Sequence, residues 1–209
     1  MIAVPNYISP EEYLEIEYQN PLRHEYRRGL VYAMSGGSDN HDRIAFNFLK
    51  LIDNHLGDDT ECRLYSGNVK VNYQDQFYYY PDAFVTCDER DRSHRFLGAR
   101  TLVDCVGVAS PSEISPGSHR YIKRYPKLIA EVLSPSTEAF DLSEKFEDYQ
   151  QLETLQEYIL IYQEKQQVKC RRRTDNNTLE TIIYKFNNSI FLDSINLEFA
   201  VAKLYRGLD

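Results

Sequence analysis

Apolar positions along this chain recur with two periods, and the change from one to the other marks its elements. After Ser38, the residues Ile44, Phe48, Leu51, Ile52 and Leu56 return at spacings of three and four, which predicts an amphipathic helix with one stripe turned to a core. His41 continues that stripe backwards by three residues, so its side chain should point inward near the helix start. A shorter helix is predicted from Ser9-Pro10-Glu11-Glu12, which combines an N-cap serine, proline at the first helical position and glutamate at the third; it should run to about Gln19 and end at Asn20-Pro21. Residues 24–26 and 30–34 flank Arg27-Arg28-Gly29 as the arms of a hairpin. Residues 61–65, 69–73 and 77–87 then read as successive short strands, an antiparallel start to a sheet.

Two apolar runs each carry one carboxylate. Glu131 sits within residues 127–133, ahead of the Ser134-Pro135 turn, and Asp82 sits within residues 77–87. Runs of this kind suit strands buried on both faces, where a lone charge is costly unless it is paired or binds metal. Two such acids on two strands suggest a cation site. Beyond residue 133, a helix capped at Ser136 or Thr137 places Leu142, Phe146, Tyr149 and Glu153 on one line, with Glu138, Asp141, Lys145 and Asp148 beside it. Lys145 therefore flanks the buried stripe. Residues 157–162, 168–173, 179–186 and 190–192 supply further strands, and residues 199–205 close the chain as a strand or short helix. The pattern breaks at residues 88–125, a charged, then briefly apolar, then Ser/Pro-rich stretch that reads as a long insertion. With no Gly/Ser- or Pro-rich linker, the 209 residues are expected to form one domain.

The net charge of −8 works against simple electrostatic capture of DNA, since lysine and arginine supply most non-specific affinity for phosphate. Local basic clusters offset this in part: Arg90, Arg92 and Arg95; Arg120, Lys123, Arg124 and Lys127; Lys169 with Arg171, Arg172 and Arg173. The four cysteines are far apart with no C-x-x-C pair, so reduced thiols are expected and zinc or redox motifs are unsupported. No leader-like N-terminus or membrane-length apolar run is visible, which points to a cytoplasmic protein with no membrane partner. The nucleotide-binding glycine motifs and the G-x-S-x-G elbow are missing as well.

Pro81-Asp82, the string from Glu131 to Thr137 (Glu-Val-Leu-Ser-Pro-Ser-Thr), and Asp141 with Lys145 and Tyr149 together resemble the Uma2 family, also called DUF820, of the PD-(D/E)XK nuclease superfamily. The resemblance runs from the hairpin at residues 25–29 through residue 161, with residues 88–125 matching least well. It implies a restriction-endonuclease-like α/β fold, a mixed central sheet flanked by helices, with Asp82 and Glu131 on neighbouring central strands. It also implies hydrolysis of DNA phosphodiesters with Mg²⁺ (or Mn²⁺). Asp82 and Glu131 would bind the metal, Glu25 would complete its shell, Lys145 would act on water and phosphate, and His41 would assist. Asp141 would hold Lys145. One departure matters: the superfamily lysine falls two residues after the second acid, where this chain has Leu133, so Lys145 would reach the same point from the next helix. A homodimer is expected for cutting two strands. The alternatives are a catalytically inactive nuclease-fold module that binds nucleic acid or a partner, and a metal-dependent phosphoesterase acting on small substrates. A narrow pocket would favour the small substrate; an open groove lined by Lys123, Arg124 and Arg171 would favour polymeric DNA.

Overall fold

The structure, a computed structural model, describes residues 7–34, 36–58, 60–92 and 121–208. The first helix, α1 (Pro10–Gln19), begins with the capping box that the sequence predicts: Ser9 accepts from the Glu12 N–H while the Glu12 carboxylate accepts from the Ser9 N–H. Strands β1 (His24–Arg27) and β2 (Leu30–Ala33) form the hairpin, and Ser38 caps helix α2 (Asp39–Leu56) through the His41 N–H.

Strands β3 (Arg63–Ser66), β4 (Lys70–Tyr73), β5 (Phe77–Tyr79) and β6 (Ala83–Thr86) follow. Residues 77–87 are thus not one strand. Tyr80-Pro81-Asp82 interrupts them, because proline cannot donate to a central ladder. The break sends β5 and β6 into different sheets. With β7 (Ile122–Lys123), one five-stranded sheet runs β2-β1-β5-β4-β7. Strands β8 (Leu128–Leu133), β9 (Glu157–Tyr162), β10 (Gln167–Arg173) and β11 (Leu179–Lys185) build a six-stranded sheet in the order β11-β10-β9-β8-β6-β3. That sheet is mixed: β8 and β9 are parallel, while β8 and β6 are antiparallel. A last hairpin pairs β12 (Ser189–Leu192) with β13 (Leu197–Ala200), and a 3₁₀ turn, not a longer strand or helix, follows at Val201–Lys203.

The β8–β9 crossover is where a continuous helix is predicted. It instead forms two short helices, α3 (Glu138–Leu142) and α4 (Glu144–Tyr149), broken at Ser143. The Ser143 hydroxyl bonds the Ala139 carbonyl and the Glu144 carboxylate, giving the backbone a local alternative to the helical ladder. Thr137 holds the N-cap position of α3 without a side-chain cap bond; Ser134 Oγ accepts the Thr137 N–H instead.

Three clusters hold these layers. Ile44, Phe48 and Ile52 of α2 pack with Val85, Ala130 and Ile159 on one face of the six-stranded sheet, together with the C-terminal hairpin. The other face brings Phe84, Ile129 and Leu160 against Tyr149 and against Val71, Phe77 and Tyr79 of the five-stranded sheet. Tyr13 of α1 covers the far side of that second sheet over Tyr26, Tyr78 and Ile122.

Of the expected insertion, residues 93–120 lie outside the described part, Arg95 and Arg120 among them. The two flanking stretches meet at Asp91, whose buried carboxylate accepts from the Arg124 and Tyr125 N–H groups and from Thr86 Oγ1. Cys62 and Cys87 are joined in a disulfide, contrary to the expected free thiols. Arg63 pairs with Thr86 across β3 and β6, so the cysteines one step further face each other despite 25 residues of separation. Cys170 is a buried free thiol, pushed up to about 12 by desolvation. No helix among the described residues is long and apolar enough to cross a membrane.

Candidate active site

Several parts of the fold bring acids, a lysine and a histidine to a shared point. Ala83 of β6 faces Ala130 of β8, so Asp82, one step before β6, lies alongside Glu131. Glu25 comes from the β1 arm of the hairpin, Lys145 from α4, and His41 from the first turn of α2.

The Lys145 ammonium lies at the centre. Its Nζ is 3.0 Å from Glu25 Oε1, 3.2 Å from Glu131 Oε1 and 3.3 Å from Asp141 Oδ1. The i,i+4 spacing of Asp141 and Lys145 survives the break at Ser143, so Asp141 holds the lysine as the sequence leads one to expect. Tyr149 donates its hydroxyl to the same Glu131 oxygen at 3.3 Å, and the Tyr80 N–H donates to Glu25 Oε1 at 3.0 Å. Beside this cage, Asp82 Oδ2 accepts the Val132 N–H at 2.7 Å and lies 3.3 Å from His41 Nε2. Asp82 is not mid-strand; it sits in the break between the sheets and is partly exposed.

Three carboxylates around one ammonium leave negative charge in excess. Burial pushes the Glu131 carboxyl well above its usual range; Lys145 opposes this, while Asp141, Asp82 and Glu25 add to it. Burial would lower the Lys145 pKa, but Glu131, Glu25 and Asp141 more than offset it, so its net shift is upward and the ammonium stays charged. The Asp82 hydrogen bond raises the His41 pKa against the opposing effect of desolvation.

The expected metal ligands Asp82, Glu131 and Glu25 do not form a ready three-ligand cluster: among the described residues, no three His, Cys, Asp or Glu side chains converge to hold an ion. The reason is Lys145, whose ammonium stands between Glu25 and Glu131 where a shared cation would sit. Asp82 and Glu131 would offer a hard divalent ion the oxygen donors it takes. Mg²⁺ in particular needs only one or two carboxylates, water and substrate oxygens doing the rest.

The cluster forms the floor of a cleft of about 660 Å³, walled by Tyr32, Met34, Gly37, Pro135, Phe140 and Gln163. Gly37 is required there: a Cβ would fall 2.7 Å from His41 Nδ1. Its place in a Gly-Gly-Ser turn before the helix is the only sequence signal for it. Tyr32 and Phe140, ordinary hydrophobic positions in the sequence, carry no such signal.

Two of the three residues expected to line a DNA groove, and several others of the basic clusters, are engaged elsewhere. Lys123 is buried and donates to the Asp91 carbonyl at 2.7 Å. Arg171 lies 3.5 Å over the Phe146 ring and donates to the Leu142 carbonyl. Arg172 bridges Glu157 and Asp193, Arg173 ties the Gln150, Leu152 and Leu155 carbonyls, and Arg90 pairs with Asp88. A groove of Lys123, Arg124 and Arg171 is therefore not assembled, because the first and last of these are spent on the fold.

A mixed sheet with a carboxylate–lysine cluster at the Asp82 break defines a restriction-endonuclease-like α/β protein. The Uma2 family, described as "Putative restriction endonuclease", matches residues 10–202, and this chain belongs to it. An uncharacterized protein of Synechocystis sp. is 36% identical over 202 residues, covering 96% of this chain and 93% of that protein. A second from the same organism is 29% identical over 167 residues, covering 78% and 79%. Among solved structures, a "putative nuclease belonging to DUF820" from Anabaena variabilis shares the fold with a TM-score of 0.71 at 16% identity, over 95% of this chain and 97% of that one.

Proposed function

We propose that this protein is a Mg²⁺- or Mn²⁺-dependent endonuclease that hydrolyses DNA phosphodiester bonds in the cytoplasm. The observation that carries the reading is the Lys145 ammonium, held by Glu25, Glu131 and Asp141 on the cleft floor beside Asp82 and His41. Asp82 and Glu131 would hold the metal, which when bound supplies charge neutralisation on the phosphate and a more acidic water. Lys145 offers a positive charge already oriented by three carboxylates, and it would hold a phosphate oxygen or the attacking water by releasing one of those three contacts. Glu25 and Asp141 keep that ammonium in place, and His41 and the Val132 N–H together fix Asp82 through its Oδ2. A homodimer, the commonest oligomer, would carry two such sites in one particle.

The recessed cleft also favours a second reading, a phosphoesterase acting on small substrates. One experiment separates them: incubation of the protein with supercoiled plasmid, circular single-stranded DNA and bis(p-nitrophenyl) phosphate, each with Mg²⁺, Mn²⁺ or EDTA. Metal-dependent cutting of DNA is expected. Turnover of the small ester alone would move the assignment to the phosphoesterase, and folded protein inert towards all three would leave only a binding module.

A further inference from the structure

The walls of the cleft bear on which form of DNA the site takes. Tyr32 lies opposite Glu25 across the β1–β2 pairing, so the two side chains share the face that looks into the cleft. Its ring is 5.6 Å from that of Phe140, and Phe140 in turn lies 5.9 Å from Lys145 Nζ. An aromatic path thus leads from the ammonium to the surface, where Tyr32 on the edge strand β2 is 39% exposed and Met34, just past its end, 38%. At the bottom, by contrast, Lys145 and Glu131 are only 5% and 4% exposed.

Three features agree. A flexible single strand can bend its phosphate down to a floor this buried more readily than a rigid duplex can. Lys123, Arg171 and Arg172, which would serve a duplex backbone, are committed to partners within the fold. Aromatic side chains beside a phosphate-binding charge are what single-strand binders use, since every base has a π-face to stack.

We infer that the substrate is unpaired DNA, bound with the phosphate at Lys145 and the attached base stacked on Tyr32, with Met34 beside it. This rests on the nuclease reading for the place of the phosphate. Binding can be measured by fluorescence anisotropy with Ca²⁺ in place of Mg²⁺, an ion that takes the same oxygen ligands, using a labelled thymidine decamer, an abasic decamer of the same length and a hairpin duplex. The decamer with bases should bind about tenfold more tightly than either of the others, a difference of ~1.4 kcal/mol. Tyr32→Ala should remove that advantage and leave abasic binding unchanged, whereas Tyr32→Phe should retain it. Equal affinity for the abasic strand, equal or tighter duplex binding, or no effect of Tyr32→Ala would overturn the inference. Cleavage of the same oligonucleotides with Mg²⁺ separates the two claims. Indifferent cutting of single strand and duplex removes the stacking inference and keeps the nuclease; base-dependent binding without any cutting does the reverse.

Discussion

Asp148 is expected to be the residue whose loss most disturbs the site without touching it. Its carboxylate is fully buried and accepts from Tyr79 Oη at 2.6 Å, Arg27 Nε at 2.6 Å and Arg28 Nη2 at 2.9 Å. It thereby fastens the β1–β2 hairpin, which carries Glu25 and Tyr32, to α4, which carries Lys145. Removing one partner of a buried, hydrogen-bonded ion pair costs about 3–5 kcal/mol. The lower end applies here, because Arg28 is half exposed and Arg27 keeps Glu147 at 3.6 Å. Asp148→Ala should therefore lose about 3 kcal/mol in urea unfolding, with Tm lower by roughly 6–12 °C for a chain of this size. Activity should fall even at temperatures where the variant is fully folded, since Glu25 would no longer be held at the ammonium. A loss under 1 kcal/mol, or a stable variant cutting DNA at the wild-type rate, would refute the anchoring role.

Lys145→Met should leave Glu25, Glu131 and Asp141 facing one another, at a cost of about 3–5 kcal/mol at pH 7.5. Because the folded Glu131 pKa lies above its unfolded value, the protonated acid stabilises at low pH and that contribution is lost as pH rises through the folded value. The variant should thus recover part of the loss by pH 5.5 in urea titrations, and a pH-independent deficit would contradict the charge argument. The His41–Asp82 pair adds stability that is full below the unfolded histidine value of 6.5 and fades as pH rises through the raised folded value. An NMR titration in EDTA should show a midpoint above 6.5 that drops in Asp82→Asn; a midpoint at or below 6.5 in the wild type would count against the pair. Reducing Cys62–Cys87, which closes a 25-residue separation, should destabilise the protein by about 3.5 kcal/mol on loop entropy, seen as a lower urea midpoint with dithiothreitol. An unchanged midpoint would show that the bond contributes nothing.

Local signals were the ones legible in the sequence. The capping box of α1 and the three-four spacing of α2 depend on neighbours within a turn or two, and both elements appear as predicted. The break at Tyr80-Pro81-Asp82 and the assignment of β5 and β6 to different sheets were hidden, because an aromatic run looks continuous until tertiary pairing divides it. Asp148 illustrates the same limit. Three residues from Lys145, it reads as a helical ion-pair partner, yet its real partners lie 69, 120 and 121 positions earlier. Buried acids in apolar runs drew attention to Glu131 and Asp82, but Glu157 shows that burial alone does not define a site. Glu157 is also buried in a β-strand, but its oxygens are satisfied by Arg172 and Ser194, which leaves it no chemistry to do. Glu131 differs in sharing the Lys145 ammonium with two other carboxylates.

The most direct measurement is the single-turnover cleavage rate of a labelled DNA strand with Mg²⁺ for the wild type, Lys145→Ala and Glu131→Gln, with each variant's folding checked by circular dichroism. Metal-dependent cutting by the wild type and a fall of about 10²–10³-fold in each folded variant is the result this account requires, the magnitude being that of losing one pre-oriented charge in a recessed site. Undiminished cutting by folded Lys145→Ala would contradict it, because the cleavage would then be running without the ammonium around which the cluster is built.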